Sequence, residues 1–230
     1  MNKLEVLKRL TDCGVVAVVR AENGEQAVKI AEACIKAGII GIEFTFTVPG
    51  AVEIIRTMSA RYKPEEIIIG AGTVMDPETA RAAILAGAHF VVSPCLNTET
   101  VRLCLRYQIA CMAGAMTVKE AVECMESGAD IIKIFPGNLF GPAIIKAIHG
   151  PLPQARMMPT GGVSAENAGE WIKAGAVAVG AGSDLHDPEP AQVLREAAPL
   201  QVREGQGPPA QVQPHPHGVG LDLQALTLRI

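Results

Sequence analysis

Eight short apolar segments at regular intervals are the feature that most restricts how this chain of 230 residues can fold. Between them lie stretches with apolar residues at helical spacing, such as residues 25–33. Short β-rich runs that alternate with helical patterns predict β-α units and a parallel sheet. The predicted strands are residues 14–20, 40–44, 67–70, 90–93, 109–112, 131–135, 157–159 and 177–180.

Helix-boundary signals support this register. Asp76 and Pro77 offer an N-cap followed by proline at the first helical position, and Thr117 with Glu120 has the spacing of a capping box. Four of the helical stretches end in Ala-Gly or Ser-Gly, where glycine permits the left-handed conformation that ends a helix. These glycines are Gly38, Gly87, Gly128 and Gly175.

Eight β-α units predict an α/β fold, a TIM (β/α)8 barrel built as a single domain. The alternative is an open doubly wound sheet, which would place a G-x-G-x-x-G turn after its first strand. Residues 20–24 read Arg-Ala-Glu-Asn-Gly and lack that pattern, so the barrel is favoured. We assign residues 1–202 to the barrel.

Composition excludes several classes of function. The formal net charge is -4 and only 3% of residues are aromatic, whereas single-stranded nucleic acid is bound by basic grooves with aromatic rings. The N-terminal segment is too charged for a secretory signal, and no segment is long and apolar enough to span a membrane. The six cysteines form no C-x-x-C pair, and the histidines follow no zinc-binding spacing. We expect a cytoplasmic protein with reduced cysteines and with no metal, nucleic-acid or membrane partner.

Polar residues near strand ends are the catalytic candidates, because TIM barrels carry their active sites at the carboxyl ends of the strands. Lys133 has two apolar residues on each side in the sixth predicted strand. Burial there favours the neutral amine, which can attack a ketone and form a Schiff base. The alternative is a structural lysine that pairs with Glu43 inside the barrel.

Three further residues stand at strand ends. Glu43 can act as a general acid and base, as the ion-pair partner of Lys133, or as both. Arg20 can bind a substrate carboxylate through its guanidinium group or pair with Glu43. Thr73 follows the third strand, and because Asp76 is the better helix cap, Thr73 is free to contact a ligand.

Two glycine turns follow the last two strands. The first contains Gly161 and Gly162, and the second contains Gly180 and Gly182. Phosphate groups bind TIM barrels in the loops after strands seven and eight, through backbone N–H groups. The two turns therefore predict a phosphorylated ligand.

Together these segments closely resemble the family of 2-keto-3-deoxy-6-phosphogluconate and 4-hydroxy-2-oxoglutarate aldolases. The resemblance is carried by residues 15–20, 41–45, 70–74, 93–94, 133–137 and 159–163, in the family's order between about residue 5 and residue 185. It implies a class I aldolase that works through a covalent Schiff base on a lysine, needs no other cofactor and forms a homotrimer.

By the same resemblance, Lys133 is the Schiff-base lysine and Glu43 the general acid/base. The implied substrate-binding residues are Arg20, Thr73, Pro94, Phe135, Thr160, Gly161, Gly162, Gly182 and Ser183. Some members bind the substrate carboxylate with an arginine a few residues after the glutamate, but residues 45–49 here read Thr-Phe-Thr-Val-Pro. Other members resemble this variant and have an arginine at the position of Arg20, so we assign the carboxylate to Arg20.

The implied reaction cleaves 2-dehydro-3-deoxy-6-phosphogluconate to pyruvate and glyceraldehyde 3-phosphate, with 4-hydroxy-2-oxoglutarate as a second substrate that gives pyruvate and glyoxylate. Two alternatives stay open. One is cleavage of 2-dehydro-3-deoxy-6-phosphogalactonate, the C4 epimer. The other is a phosphate-binding barrel without turnover.

The C-terminal segment departs from the family's pattern. Residues 205–218 are rich in Pro, Gly, Gln and His and cannot sustain a helix, whereas the family has an amphipathic helix in this region. We predict that residues 203–230 are a disordered tail, which arises from an altered reading frame or as a natural extension.

Overall fold

A computed structural model describes residues 1–182 and Glu196. Helices alternate with strands throughout, and all eight predicted strands are present. The strands are β1 Val15–Val19, β2 Gly41–Thr45, β3 Ile68–Gly72, β4 Phe90–Val92, β5 Ala110–Ala115, β6 Ile131–Ile134, β7 Met157–Pro159 and β8 Val179–Ala181. The helices are α1 Lys3–Cys13, α2 Gly24–Lys36, α3 Ala51–Arg61, α4 Pro77–Ala86, α5 Thr98–Arg106, α6 Val118–Ser127, α7 Ala143–His149 and α8 Ala168–Lys173, and a 3-10 turn spans Gly137–Leu139.

The strands form one parallel sheet that closes on itself. Strands β1 to β7 are neighbours in sequence order, and β8 lies beside β1. A parallel bridge between Thr160, which follows β7, and Gly180 of β8 joins the two ends of the sheet. The predicted TIM barrel is therefore confirmed, and the open doubly wound sheet is excluded.

The helix boundaries follow the predicted signals. Asp76 Oδ1 accepts a hydrogen bond from the Thr79 N–H at 2.6 Å, which makes Asp76 the N-cap of α4. Thr117 and Glu120 form the capping box of α6. The four glycines predicted to end helices all have φ between +84° and +113°.

Two hydrophobic layers make up the core, because alternate residues of a strand face opposite sides of the sheet. Val16 packs inside the barrel with Ile68 and Met158. Val15 and Ala17 belong to the larger layer between the strands and the surrounding helices. This alternation decides which side chains at the carboxyl ends of the strands, here called the mouth, point into the barrel.

Helix α1 closes the opposite end of the barrel. Its residues Val6, Leu7 and Leu10 belong to the inner layer, and Leu10 has no exposed surface. A Cβ atom on Gly41, the first residue of β2, would lie 2.6 Å from Leu10 Cδ2. Helix α1 therefore seals the amino-terminal end of the barrel, opposite the mouth.

Five of the six cysteines are buried. All six lie in the described range, none is in a disulfide, and only Cys95 is exposed. Burial raises the pKa of the Cys34 and Cys124 thiols to about 12, so both stay protonated and unreactive.

Candidate membrane-spanning helices and candidate metal sites are both absent from the described part of the chain. None of its helices is long and apolar enough to cross a membrane, and none of its His, Cys, Asp and Glu side chains gather in threes as a metal site would require. Residues 203–230 lie outside it, so the disordered tail and the domain boundary at residue 202 stay predictions.

Candidate active site

Strand alternation places Lys133 and Glu43 inside the barrel. In β6, Ile132 and Ile134 pack outward against the helices, so Lys133 between them points inward. In β2, Phe44 packs outward in the same way next to Glu43. An amine and a carboxylate from opposite sides of the barrel thus meet in its interior.

The two charged groups form a buried ion pair. Lys133 Nζ lies 3.7 Å from Glu43 Oε1, and the exposed fractions of the two side chains are 3% and 0%. Neither carboxylate oxygen of Glu43 accepts a hydrogen bond from any described residue. The Lys133 Nζ also lies 5.4 Å from the centre of the half-buried Phe135 ring, within reach of a cation–π interaction. The Lys133–Glu43 pair, which the sequence left open as an alternative or complement to a catalytic role, is present, whereas Glu43 makes no ion pair with Arg20.

Glycine occupies the inward positions around this pair. A Cβ on Gly72, at the end of β3, would lie 1.9 Å from Glu43 Oε1. A Cβ on Gly180 would likewise lie 2.3 Å from Thr160 Oγ1. Gly72 is not among the site residues predicted from the sequence, because the predicted third strand ends at residue 70. Glycine at these positions leaves room for the Glu43 carboxylate and for the Thr160 side chain.

Pro94 reaches the site through its backbone. Gly114 of β5 pairs with Lys133 in the sheet register. A Cβ on Gly114 would lie 2.0 Å from the carbonyl oxygen of Pro94, so the chain after β4 crosses directly over Gly114. Ser93 stabilises this crossing, because its hydroxyl donates to the Cys95 carbonyl oxygen at 2.7 Å. The segment that contains Pro94 is thereby held beside the lysine strand.

Arg20 and Thr73 lie at the mouth. Arg20 directly follows β1, is exposed, and makes no ion pair or hydrogen bond with another described residue. Thr73 directly follows β3 with φ of +57°, which is uncommon outside glycine and is stabilised only where the surroundings hold it. Asp76 caps α4, as predicted, and a ligand contact of the Thr73 hydroxyl stays a prediction.

The first glycine turn follows β7. Thr160 is buried, and its hydroxyl has no hydrogen-bond partner among the described residues. Gly161 and Gly162 have φ of +90° and +71°. Asn167 holds this turn in place, because its side-chain amide donates to the Gly162 carbonyl oxygen at 2.8 Å and accepts from the Ser164 N–H at 3.0 Å. Asn167 is not among the site residues predicted from the sequence, where the Asx-type spacing to Ser164 is the only local signal.

The second glycine turn begins at the edge of the described residues. Gly182 is exposed, and a Cβ on it would lie 2.9 Å from the Val18 carbonyl oxygen. Ser183 lies outside the described residues. The structure therefore brings Lys133 and Glu43 together in the barrel and places the other described candidates at strand ends around the mouth.

The sequence comparison decides the family. A family model described as KDPG and KHG aldolase matches residues 6–196 of the chain. The chain belongs to the KDPG and KHG aldolase family. This confirms the family predicted from its motifs.

Individual relatives of this aldolase family agree. The chain is 34% identical over 177 residues to 2-dehydro-3-deoxy-6-phosphogalactonate aldolase of Escherichia coli, covering 76% of this chain and 86% of the relative. It is 35% identical over 170 residues to 2-dehydro-3-deoxy-phosphogluconate aldolase of Treponema pallidum, covering 74% and 80%. A solved structure of KDPG aldolase from Legionella pneumophila, with pyruvate captured at low pH as a covalent carbinolamine intermediate, matches with a TM-score of 0.69 and 27% identity, covering 80% of this chain and 92% of that one.

Proposed function

We propose that this member of the KDPG and KHG aldolase family is a class I aldolase that cleaves 2-dehydro-3-deoxy-6-phosphogluconate to pyruvate and glyceraldehyde 3-phosphate. One observation carries the proposal: a lysine and a glutamate, both almost fully buried, face each other at 3.7 Å inside the barrel. Carbinolamine capture of pyruvate in the Legionella pneumophila relative supports amine chemistry at such a site. The same reaction on 4-hydroxy-2-oxoglutarate would give pyruvate and glyoxylate.

The first half of the reaction forms the Schiff base. Proton transfer from the Lys133 ammonium to the Glu43 carboxylate leaves a neutral amine and a carboxylic acid. The amine attacks C2 of the keto acid and gives a carbinolamine. Glu43 then protonates the leaving hydroxyl group, and water departs as the iminium ion forms. Because Oε1 is 3.7 Å from Nζ, we propose that a water molecule relays these protons.

The second half breaks the carbon–carbon bond. The iminium ion accepts electrons, so removal of the C4 hydroxyl proton by the Glu43 carboxylate breaks the C3–C4 bond. Glyceraldehyde 3-phosphate leaves, and an enamine of pyruvate remains on Lys133. Protonation at C3 restores the iminium ion, and hydrolysis releases pyruvate and the free amine.

Groups at the mouth would bind the two ends of the substrate. The guanidinium group of Arg20 is unpaired within the described part of the chain, and a bidentate contact with the keto-acid carboxylate would satisfy it. The Thr73 hydroxyl and the segment at Pro94 would hold the pyruvate moiety near Lys133. Backbone N–H groups at Gly161 and Gly162, together with Gly182 and Ser183, would bind the phosphate.

The C4 epimer is the second candidate substrate. The 34% identity to the phosphogalactonate enzyme of Escherichia coli lies within the 31% to 35% identity to relatives named for the phosphogluconate substrate. The two substrates differ only in the configuration of the carbon whose hydroxyl group loses its proton. Both are therefore compatible with the same Lys133 and Glu43 chemistry.

We further propose that the enzyme is a cytoplasmic homotrimer that needs no metal or other cofactor. The protonated imine supplies the electron sink that a metal ion supplies in other aldolases. Activity should persist after dialysis against a chelator, and sedimentation equilibrium should give three times the chain mass of 24.1 kDa.

The test is a pyruvate-release assay with lactate dehydrogenase as the coupling enzyme. Each of the two C4 epimers and 4-hydroxy-2-oxoglutarate is assayed separately. We expect turnover, with a higher kcat/KM for the phosphogluconate-derived epimer than for the other. No pyruvate from any of the three would contradict the aldolase proposal and favour a phosphate-binding barrel without turnover.

A further inference from the structure

Asn138 lies on the glycine turn that follows β7. It is the central residue of the 3-10 turn Gly137–Leu139, which comes shortly after the lysine strand β6. The Gly137 N–H donates to the Thr160 carbonyl oxygen at 2.8 Å, so the two turns are held together. A Cβ placed on Gly162 would lie 2.6 Å from Asn138 Cβ, and one placed on Gly161 would lie 3.6 Å from Asn138 Oδ1. The Asn138 side chain thus packs over both glycines.

The amide of this side chain has no partner in the described structure. Asn138 and Gly162 are both exposed, and neither the Asn138 amide nor the Gly162 N–H donates a hydrogen bond to a described residue. By contrast, Asn167 on the other side of the turn uses both ends of its amide. Two donor groups without a partner among the described residues therefore lie on exposed residues at one rim of the mouth.

We propose that Asn138 is a specificity-determining residue that donates its side-chain amide to the substrate phosphate. An asparagine amide offers two N–H donors and no charge, and a hydrogen bond to an ionised phosphate is stronger than one between neutral groups. Asn138 thereby selects phosphorylated over unphosphorylated keto acids. This inference rests on the phosphate site of the proposed function and adds a residue from the loop after β6 to the loops after β7 and β8.

The pair of substrates provides the test, because 2-dehydro-3-deoxy-6-phosphogluconate carries a phosphate and 4-hydroxy-2-oxoglutarate does not. Asn138→Asp keeps the shape of the side chain but replaces its donors with a negative charge, and Asn138→Ala removes the group. We expect Asn138→Ala to lower kcat/KM for the phosphorylated substrate about tenfold, the loss of one hydrogen bond to a charged group. Asn138→Asp should lower it further. For the unphosphorylated substrate, both variants should stay within about twofold of the wild type.

Leu139→Ala is the matched control, because Leu139 lies in the same turn and is 63% exposed. It should change neither substrate's kcat/KM. If the Asn138 variants lose kcat/KM equally for both substrates, the inference is overturned, and Asn138 only stabilises the turn. A kcat/KM of Asn138→Asp for the phosphorylated substrate that equals the wild-type value would overturn the inference as well.

A binding measurement separates this inference from the aldolase proposal. If the wild-type protein cleaves neither substrate, the aldolase proposal fails, and inorganic phosphate is then titrated into the wild type, Asn138→Asp and Leu139→Ala by calorimetry. Weaker phosphate binding in Asn138→Asp alone supports the role of Asn138. Equal binding in all three proteins, or no binding to the wild type, overturns it.

Discussion

At the scale of single residues, the ion pair of Lys133 and Glu43 places two opposite charges inside the barrel. The carboxylate has no hydrogen-bond donor among the described residues, and a buried carboxylate is costly unless hydrogen-bond donors or a positive charge compensate it. Lys133 supplies the charge at 3.7 Å, which is longer than a direct hydrogen bond. At this separation the two groups compensate each other's charge without a direct hydrogen bond.

Glu43→Gln tests the acid and base role. Glutamine retains the shape of the side chain but has no transferable proton, so we expect kcat to fall about 10²- to 10⁴-fold. Steady-state kinetics with the phosphorylated substrate measures this, and circular dichroism checks that the barrel is intact. A kcat within twofold of the wild type would show that Glu43 is only the ion-pair partner of Lys133.

Gly72→Ala tests the space left for the carboxylate. The added Cβ would lie 1.9 Å from Glu43 Oε1, so the carboxylate must move away. We expect kcat to fall at least tenfold, as misplacing a catalytic group by about 1 Å commonly costs more than that. Gly24→Ala is the control, since its added Cβ would come no closer than 3.4 Å to a neighbour. An equal kcat in Gly72→Ala and Gly24→Ala would contradict the expected displacement of the Glu43 carboxylate.

Lys133 and Glu43 could be predicted from the sequence because a charge within an apolar strand is conspicuous. The roles of Gly72 and Gly114 could not be predicted in this way, because both faces of these strands are buried. A strand buried on both faces shows no apolar alternation, so the sequence does not indicate which residues point inward. Asn138 and Asn167 act on a turn whose position depends on the closed barrel, and their local sequence shows only ordinary turn residues.

Strand boundaries differ from the predicted ones where the strands become rich in small residues. Strand β3 continues to Gly72 and β5 to Ala115, beyond the predicted ends at residues 70 and 112. Glycine and alanine have low β propensity, but pairing with β2 holds the end of β3 extended, and pairing with β6 holds the end of β5 extended. The extensions are the segments that reach the mouth, so local propensity fails next to the candidate active site.

His89 makes the link between β3 and β4 sensitive to pH. Its Nδ1 accepts a hydrogen bond from the Ile69 N–H at 3.1 Å, which requires an unprotonated nitrogen, and burial lowers the pKa of His89 below its usual 6.5. The unfolded chain therefore binds the proton more readily than the folded chain. Stability from this residue is present above pH 6.5 and is lost as the pH falls through the folded-state value.

His89→Asn tests this link, because asparagine offers an acceptor oxygen that does not titrate. We expect the wild type to lose free energy of unfolding between pH 7.5 and pH 5.5 by at most about 1.4 kcal/mol per pH unit more than the variant does. Urea denaturation at several pH values measures the difference between the two proteins. If the free energy of unfolding changes with pH in the same way in both proteins, His89 is not the source of the pH dependence.

At the scale of the whole molecule, a stabilising contact of α1 and the candidate active site lie at opposite ends of the barrel. Helix α1 seals one end with Leu10, which is fully buried in the inner layer, while the candidate active site occupies the other. The alternation of strands and helices was enough to predict the barrel. The sealing role of α1 could not be predicted, because an amphipathic first helix has the same pattern wherever it packs.

Leu10→Ala tests this separation. Removing the buried side chain should lower the free energy of unfolding by about 2–5 kcal/mol, while kcat at 25 °C stays within twofold of the wild type. Leu4→Ala, at a position that is 77% exposed, should change stability by less than about 0.5 kcal/mol. Equal effects of the two substitutions on urea denaturation would show that α1 does not seal the barrel.

The central claim is that Lys133 forms a covalent bond with the keto acid. The most direct measurement is reduction of the protein with borohydride in the presence of pyruvate, followed by peptide mass analysis. We predict a single reduced pyruvate adduct on the peptide that contains Lys133, and none without pyruvate or in Lys133→Met. An adduct on another lysine, or no adduct under conditions in which the enzyme releases pyruvate, would contradict the account.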